Sequence, residues 1–91
     1  MKPTILIVDD DAEIRTQMKW ALTQDYEVFS AEDGPGALNI FETNRPVVTL
    51  LDLGLPPRPN ESEEGLAVLT QLLAVESTAK IIIVSIKVKP C

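Results

Sequence analysis

Ninety-one residues carrying 8 basic and 14 acidic side chains, for a formal charge of −6, make one small acidic domain. That balance repels nucleic acid; no apolar run reaches membrane-spanning length, and the opening Met-Lys-Pro-Thr has no signal-peptide pattern. With no histidine, Ser-His-Asp catalysis, His-ligated zinc and a phosphohistidine carrier are excluded within this chain, and the single cysteine, Cys91, leaves no internal disulfide and fits a reducing cytoplasm.

Ile5-Leu6-Ile7-Val8 is short, apolar and largely β-branched, which predicts a strand over about Thr4 to Val8, buried on both faces as in a parallel sheet. It runs into Asp9-Asp10, and Asp11 stands where an N-cap belongs, ahead of a helix from about Ala12 to Thr23. Ile14, Met18, Ala21 and Leu22 form the apolar stripe of that helix, and Trp20 is read as ordinary packing. Tyr26 to Ser30 alternates irregularly and suits an outer strand. Gly34-Pro35-Gly36 is read as a break, after which Ala37, Leu38, Ile40 and Phe41 supply a helix ending near Asn44, stopped by Arg45-Pro46. Val47 to Leu51 is a third strand and runs into Asp52. The stretch from Leu53 to Ser62, with three prolines and Gly54, predicts a stiff loop. A helix over about Glu63 to Val75 follows, with Leu66, Val68, Leu69, Leu72 and Leu73 as its apolar side. Lys80 to Ser85 is a fourth strand, which Ile86 to Lys89 could prolong.

Strands that alternate with helices of about three turns predict an α/β fold, a doubly wound parallel sheet. Right-handed crossovers allow the order 2-1-3-4, with winding reversed between strands one and three. The ligand crevice then lies at the carboxyl ends of those two strands, where Asp9, Asp10 and Asp52 stand. Adjacent carboxylates repel unless a cation is present, and Mg2+ takes such oxygen ligands together with phosphate. The plainer alternative is an acidic turn with Asp11 capping a helix. Ser85 either caps its strand end or donates its hydroxyl to a phosphoryl oxygen.

Ile-Leu-Ile-Val-Asp-Asp-Asp, Leu-Leu-Asp-Leu-Gly-Leu-Pro, Gly65-Leu66-Ala67-Val68-Leu69 and Ile-Ile-Ile-Val-Ser, in this order from residue 4 to residue 85, resemble the receiver domain of two-component response regulators. The resemblance implies a flavodoxin-like fold and a phosphoacceptor role for Asp52, which would take a phosphoryl group from a sensor histidine kinase. It further implies Mg2+ held by Asp10 directly, by Asp9 largely through water, by Asp52 and by the backbone carbonyl of Gly54, with Ser85 as the switch hydroxyl. Such a module is no enzyme in its own right.

Two features depart from the family pattern. The loop from Pro56 to Gly65 is longer than in most receivers, and with its Leu-Gly-Leu-Pro-Pro start is similar to receivers of enhancer-binding transcriptional activators of exosortase and exopolysaccharide systems. In addition, a receiver continues after Ser85 with a helix, a fifth strand ending in Lys-Pro and a last helix. Lys89-Pro90 is similar to that dipeptide but comes four residues after Ser85, too soon for a parallel crossover. The expectation is therefore a single, C-terminally truncated receiver over residues 1–91, lacking the fifth strand and last two helices, with Lys89 a weak candidate for the phosphate-contacting lysine. Strand four would then be an open apolar edge, which predicts a homodimer or swapped oligomer. Two other functions fit parts of the pattern. One is a haloacid-dehalogenase-like phosphohydrolase with Asp9 as nucleophile, Asp11 as acid/base and Ser85 as its second-motif hydroxyl. The other is an interaction module that is never phosphorylated.

Overall fold

The computed structural model describes residues 2–55 and 63–84. Among these, four strands alternate with three helices: β1 (Thr4–Val8), α1 (Ala12–Leu22), β2 (Glu27–Ala31), α2 (Gly34–Asn44), β3 (Val48–Leu51), α3 (Glu63–Val75) and β4 (Ile81–Ile83). The strands form one parallel sheet in the order β2-β1-β3-β4, with Leu6 opposite Phe29 and Thr49, and Thr49 opposite Ile81. The doubly wound order expected from the sequence is borne out, and β1 occupies an interior position. Its Ile5, Leu6, Ile7 and Val8 are all buried, as an interior strand between two layers of helices requires.

Side chains alternate across the sheet, so Leu6 and Val8 face one layer while Ile5 and Ile7 face the other. On the first side Leu6, Val8, Ala31 and Leu51 pack with Ala37 and Phe41 of α2, Val68 and Leu72 of α3, and Leu55 into the main core. The opposite side is covered by α1, which packs on β1 and β2 and buries none of its own residues fully. Its stripe is only half-buried at Ile14, Met18 and Leu22, and Ala21 is exposed. Trp20 does not pack as expected: it is 77% exposed, because it projects from the helix away from the stripe formed by residues 14, 18 and 22. Leu66 likewise leaves the expected apolar side of α3 and is 47% exposed, whereas Val68 and Leu72 carry the contact.

Gly34-Pro35-Gly36 opens α2 instead of interrupting the chain. Proline in a first turn has no amide to leave unbonded, and the Asp33 side chain accepts from the Gly36 N–H at 2.8 Å, capping the turn. At the other end Arg45 adopts the left-handed conformation (φ 46°, ψ 63°) and its N–H donates to the Phe41 carbonyl, which ends the helix. Among the described residues β4 covers Ile81–Ile83 and takes in neither Lys80 nor Val84 of the predicted strand. The proline loop at 56–62, Ser85, Lys87, Lys89 and Cys91 lie outside the described residues.

Candidate metal and phosphoryl site

The sheet ladder itself brings the acids together. The Asp52 N–H donates to the Val8 carbonyl at 2.9 Å, and the Asp9 N–H donates to the Ala31 carbonyl at 3.0 Å. Each acid is thus the first residue past its strand, held by one more ladder bond. Because β1 and β3 are adjacent and parallel, both acids emerge at the same edge, where the winding direction reverses. One carboxylate oxygen each from Asp9, Asp10 and Asp52 lies within 4.8 Å of the others. Asp9 and Asp52 are 2% and 3% exposed, and Asp10 is half-buried at the mouth.

Each strand-end turn is held by its own acid. Asp9 Oδ1 accepts from the Asp11 N–H at 2.8 Å, while Asp11 Oδ1 caps α1 by accepting from Glu13 N–H at 2.9 Å and Ile14 N–H at 3.2 Å. Asp11, the acid/base of the hydrolase alternative, therefore has its Oδ1 engaged at the helix start. Asp52 Oδ1 accepts from the Gly54 N–H at 3.1 Å, which sets the carboxylate against the loop that follows β3. That loop is pinned from the other side, since the Gly65 N–H of α3 donates to the Leu53 carbonyl at 3.0 Å.

Arg15 also reaches the site. Its Nη1 donates to the Asp9 carbonyl at 2.7 Å, and its Nη2 stands 4.0 Å from Glu32 just past β2. Motif patterns do not single it out. Its only signal in the sequence is a cation in the first turn of a helix, where the helix dipole disfavours positive charge.

The donor set fits a hard divalent cation. Three carboxylates at one sheet edge supply oxygen alone, with no nitrogen or sulfur, as Mg2+ prefers. Two of the three are almost fully buried, and like charges so placed are stabilised by a shared cation.

The sequence model of the response regulator receiver domain matches residues 5–90. The chain belongs to that family. Receiver domains are signalling modules, and this one takes its place among them as such. Among curated relatives it is 31% identical over 84 residues to the transcriptional regulatory protein PrrA of Mycobacterium tuberculosis, covering 91% of this chain and 34% of that protein. It is 30% identical over 86 residues to sporulation initiation phosphotransferase F of Bacillus subtilis, covering 93% of this chain and 65% of that one. The receiver thus spans about a third of PrrA. Among solved structures, a CheY-like receiver domain from Methanospirillum hungatei superposes with a TM-score of 0.84 at 29% identity, covering 98% of this chain and 68% of that one. The non-phosphorylated HemR receiver domain of Leptospira biflexa gives 0.81 at 27% identity, with the same coverage. No helix among the described residues is long and apolar enough to cross a membrane.

Proposed function

We propose that this receiver is the phosphoacceptor module of a two-component phosphorelay, and that Asp52 accepts a phosphoryl group from the phosphohistidine of a sensor histidine kinase. The observation that carries the reading is the convergence of Asp9, Asp10 and Asp52 carboxylates within 4.8 Å at the β1/β3 edge. A carboxylate oxygen of Asp52 forms the new O–P bond while the P–N bond to the donor imidazole breaks and its electron pair leaves with the nitrogen. The reaction asks little of the protein beyond position and charge. Burial of Asp52 and the Gly54 N–H on its Oδ1 hold the nucleophile in one orientation.

Asp10, with Asp52 and the Gly54 carbonyl, would hold Mg2+ directly, and Asp9 would act largely through water. When bound, the ion offsets the repulsion between the incoming phosphoryl group and the carboxylates. Ser85 is assigned as the hydroxyl that moves to the phosphoryl group, and Lys89 as a weaker candidate for a phosphate-contacting cation; both lie outside the described residues. The acyl phosphate adds about one negative charge, which recruited donors must satisfy.

In this reading residues 1–91 work as one cytoplasmic domain that binds neither nucleic acid nor membrane, its net charge of −6 arguing against both anionic surfaces. At the edge of the described sheet, Ile82 of β4 is 53% exposed and Ile83 is partly so, which supports self-association as a homodimer or swapped oligomer. Size exclusion with light scattering that returned a well-folded monomer would remove that part of the proposal.

Incubation with MgCl2 and acetyl phosphate, followed by mapping of the modified residue, tests the central assignment. Modification at Asp52 is expected. Modification at Asp9 with turnover would favour the phosphohydrolase, and an unmodified chain would favour an interaction module.

A further inference from the structure

We propose that Arg15 is a positioning residue for the acid pair, fixing the peptide plane that joins Asp9 to Asp10 so that Asp10 faces the cation. This rests on the reading that these carboxylates hold a divalent cation. The sheet accounts for the Asp9 N–H, which donates to Ala31, but β2 ends there, and the Asp9 carbonyl is met by the guanidinium of Arg15 at 2.7 Å. A side chain from α1 thereby acts where the next ladder partner would stand. The carbonyl it holds belongs to the same peptide unit as the Asp10 amide, so holding it fixes where the Asp10 side chain departs.

The bond closes a ring. Asp9 Oδ1 accepts from Asp11 N–H, Asp11 Oδ1 caps the first turn of α1, and Arg15 of that turn returns to the Asp9 carbonyl. The arginine side chain is 19% exposed, and its bond to Asp9 is a short charge-assisted one, whereas the 4.0 Å approach to the largely exposed Glu32 adds little. Arginine suits this place because its planar fork can face a carbonyl and a carboxylate at once.

Two physical effects of removing Arg15 have opposite signs, which makes the proposal decidable. As a mere positive charge beside three carboxylates, Arg15 would repel a cation, so its removal would tighten Mg2+ binding by a factor of a few in screened, partly exposed surroundings. As a positioning residue, its removal lets the Asp9–Asp10 peptide turn. Mg2+ tolerates little departure from octahedral geometry, and loss of an outer-shell partner typically weakens a metal site about 10- to 100-fold.

The test is titration of the full chain with MgCl2, read by calorimetry and by the amide NMR shifts of Asp9, Asp10 and Asp52. Arg15→Met, which keeps length but not charge, is expected to bind about ten-fold more weakly and to shift the Asp10 amide before any Mg2+ is added. Arg15→Lys, which keeps the charge but not the fork, is expected to fall between, roughly three-fold weaker than the parent. Unchanged or tighter binding by Arg15→Met overturns the proposal, even if that variant melts lower. If Arg15→Met does not fold, the Lys variant decides: parental affinity together with an unmoved Asp10 amide overturns the idea. A parent chain that binds no Mg2+ at these acids overturns the cation reading and the positioning role with it.

Discussion

The backbone of Gly65 in α3 lies directly against that of Leu53, the residue after Asp52. A Cβ added at Gly65 would overlap the Leu53 Cα and carbonyl, and the Gly65 N–H donates to that carbonyl at 3.0 Å. Helix propensity alone favours Gly65→Ala by up to about 1 kcal/mol. The clash is with main chain, which no rotamer change can relieve, so overpacking dominates and a net loss of about 1–3 kcal/mol is expected. Urea unfolding measures it. Because the displaced segment carries Asp52 and Gly54, weaker Mg2+ binding should accompany the loss, and a G65A chain as stable as the parent would show that the close approach is dispensable.

Arg45 ends α2 at φ 46°, a conformation that costs an L-residue with a side chain roughly 1 kcal/mol and glycine almost nothing. Its ion pair with Glu76, at 3.8 Å and with both side chains about half exposed, offsets little of that. Arg45→Gly should therefore stabilise the receiver by about 0.5 kcal/mol, reduced from the full conformational term by the greater freedom of glycine in the unfolded chain. A lower urea midpoint for this variant would mean that the exposed pair matters more than the backbone.

The three acids were legible because one apolar run leads into Asp9-Asp10 and another into Asp52, and a run of that kind has few structures open to it. Helix α3 was legible over Glu63–Val75 because no proline intervenes and Val68, Leu69 and Leu72 recur at helical spacing, which outweighs Gly65 in its first turn. The start of α2 was not: Gly34-Pro35-Gly36 looks like a break until Asp33 is seen to cap it, because the same residues serve turns and first helical turns alike. Trp20 departs from the ordinary packing expected of it because its helical angle sets it outside the stripe of residues 14, 18 and 22. Arg15 escaped notice for a different reason. Its partner is a backbone carbonyl, and no pattern of side chains encodes that.

Thr49 sits in β3 at 0% exposure, opposite Leu6 and Ile81, and its hydroxyl has no hydrogen-bond partner among the described residues. Burying an unbonded hydroxyl costs about 1–3 kcal/mol. Thr49→Val has the same shape, keeps the β-branch that suits a strand and removes the polar group, so it should stabilise the fold by about 1 kcal/mol. A thermal melt that falls on this substitution would indicate a hydroxyl partner, such as water, that offsets the burial.

Glu76, just past α3, is held below the usual glutamate range chiefly by the hydroxyl of Thr78 at 2.9 Å and then by the Thr78 N–H, with Arg45 adding last. A depressed carboxyl contributes stability that is present above its unfolded value of 4.5 and is lost as pH falls through the lower folded value. The side chain is about half exposed, so solvent screening keeps the effect on unfolding small and NMR titration of its carboxyl carbon is the sensitive measurement. Thr78→Val should move that titration upward, and Arg45→Gly should move it less. The reverse ranking would make the ion pair the principal cause.

Removal of divalent cation should loosen the receiver through its acid cluster. Asp9, Asp10 and Asp52 bring carboxylate oxygens within 4.8 Å of one another, two of the three residues nearly buried, and any ion that binds only the folded chain stabilises it by mass action. At ten times its dissociation constant, Mg2+ is expected to add about 1.4 kcal/mol against unfolding. The comparison is a urea curve in MgCl2 against one in chelator with NaCl at matched ionic strength, since salt alone weakens repulsion among exposed acids. Asp10→Asn should abolish the Mg2+-dependent part and leave the salt response in place. It is the informative variant because Asp10 stands half-buried at the mouth of the crevice, whereas the Asp9 and Asp52 carboxylates also hold the backbone of their own strand-end turns. Should the parent and Asp10→Asn respond equally to Mg2+, the ion is acting on the chain's net negative charge and not at the β1/β3 edge.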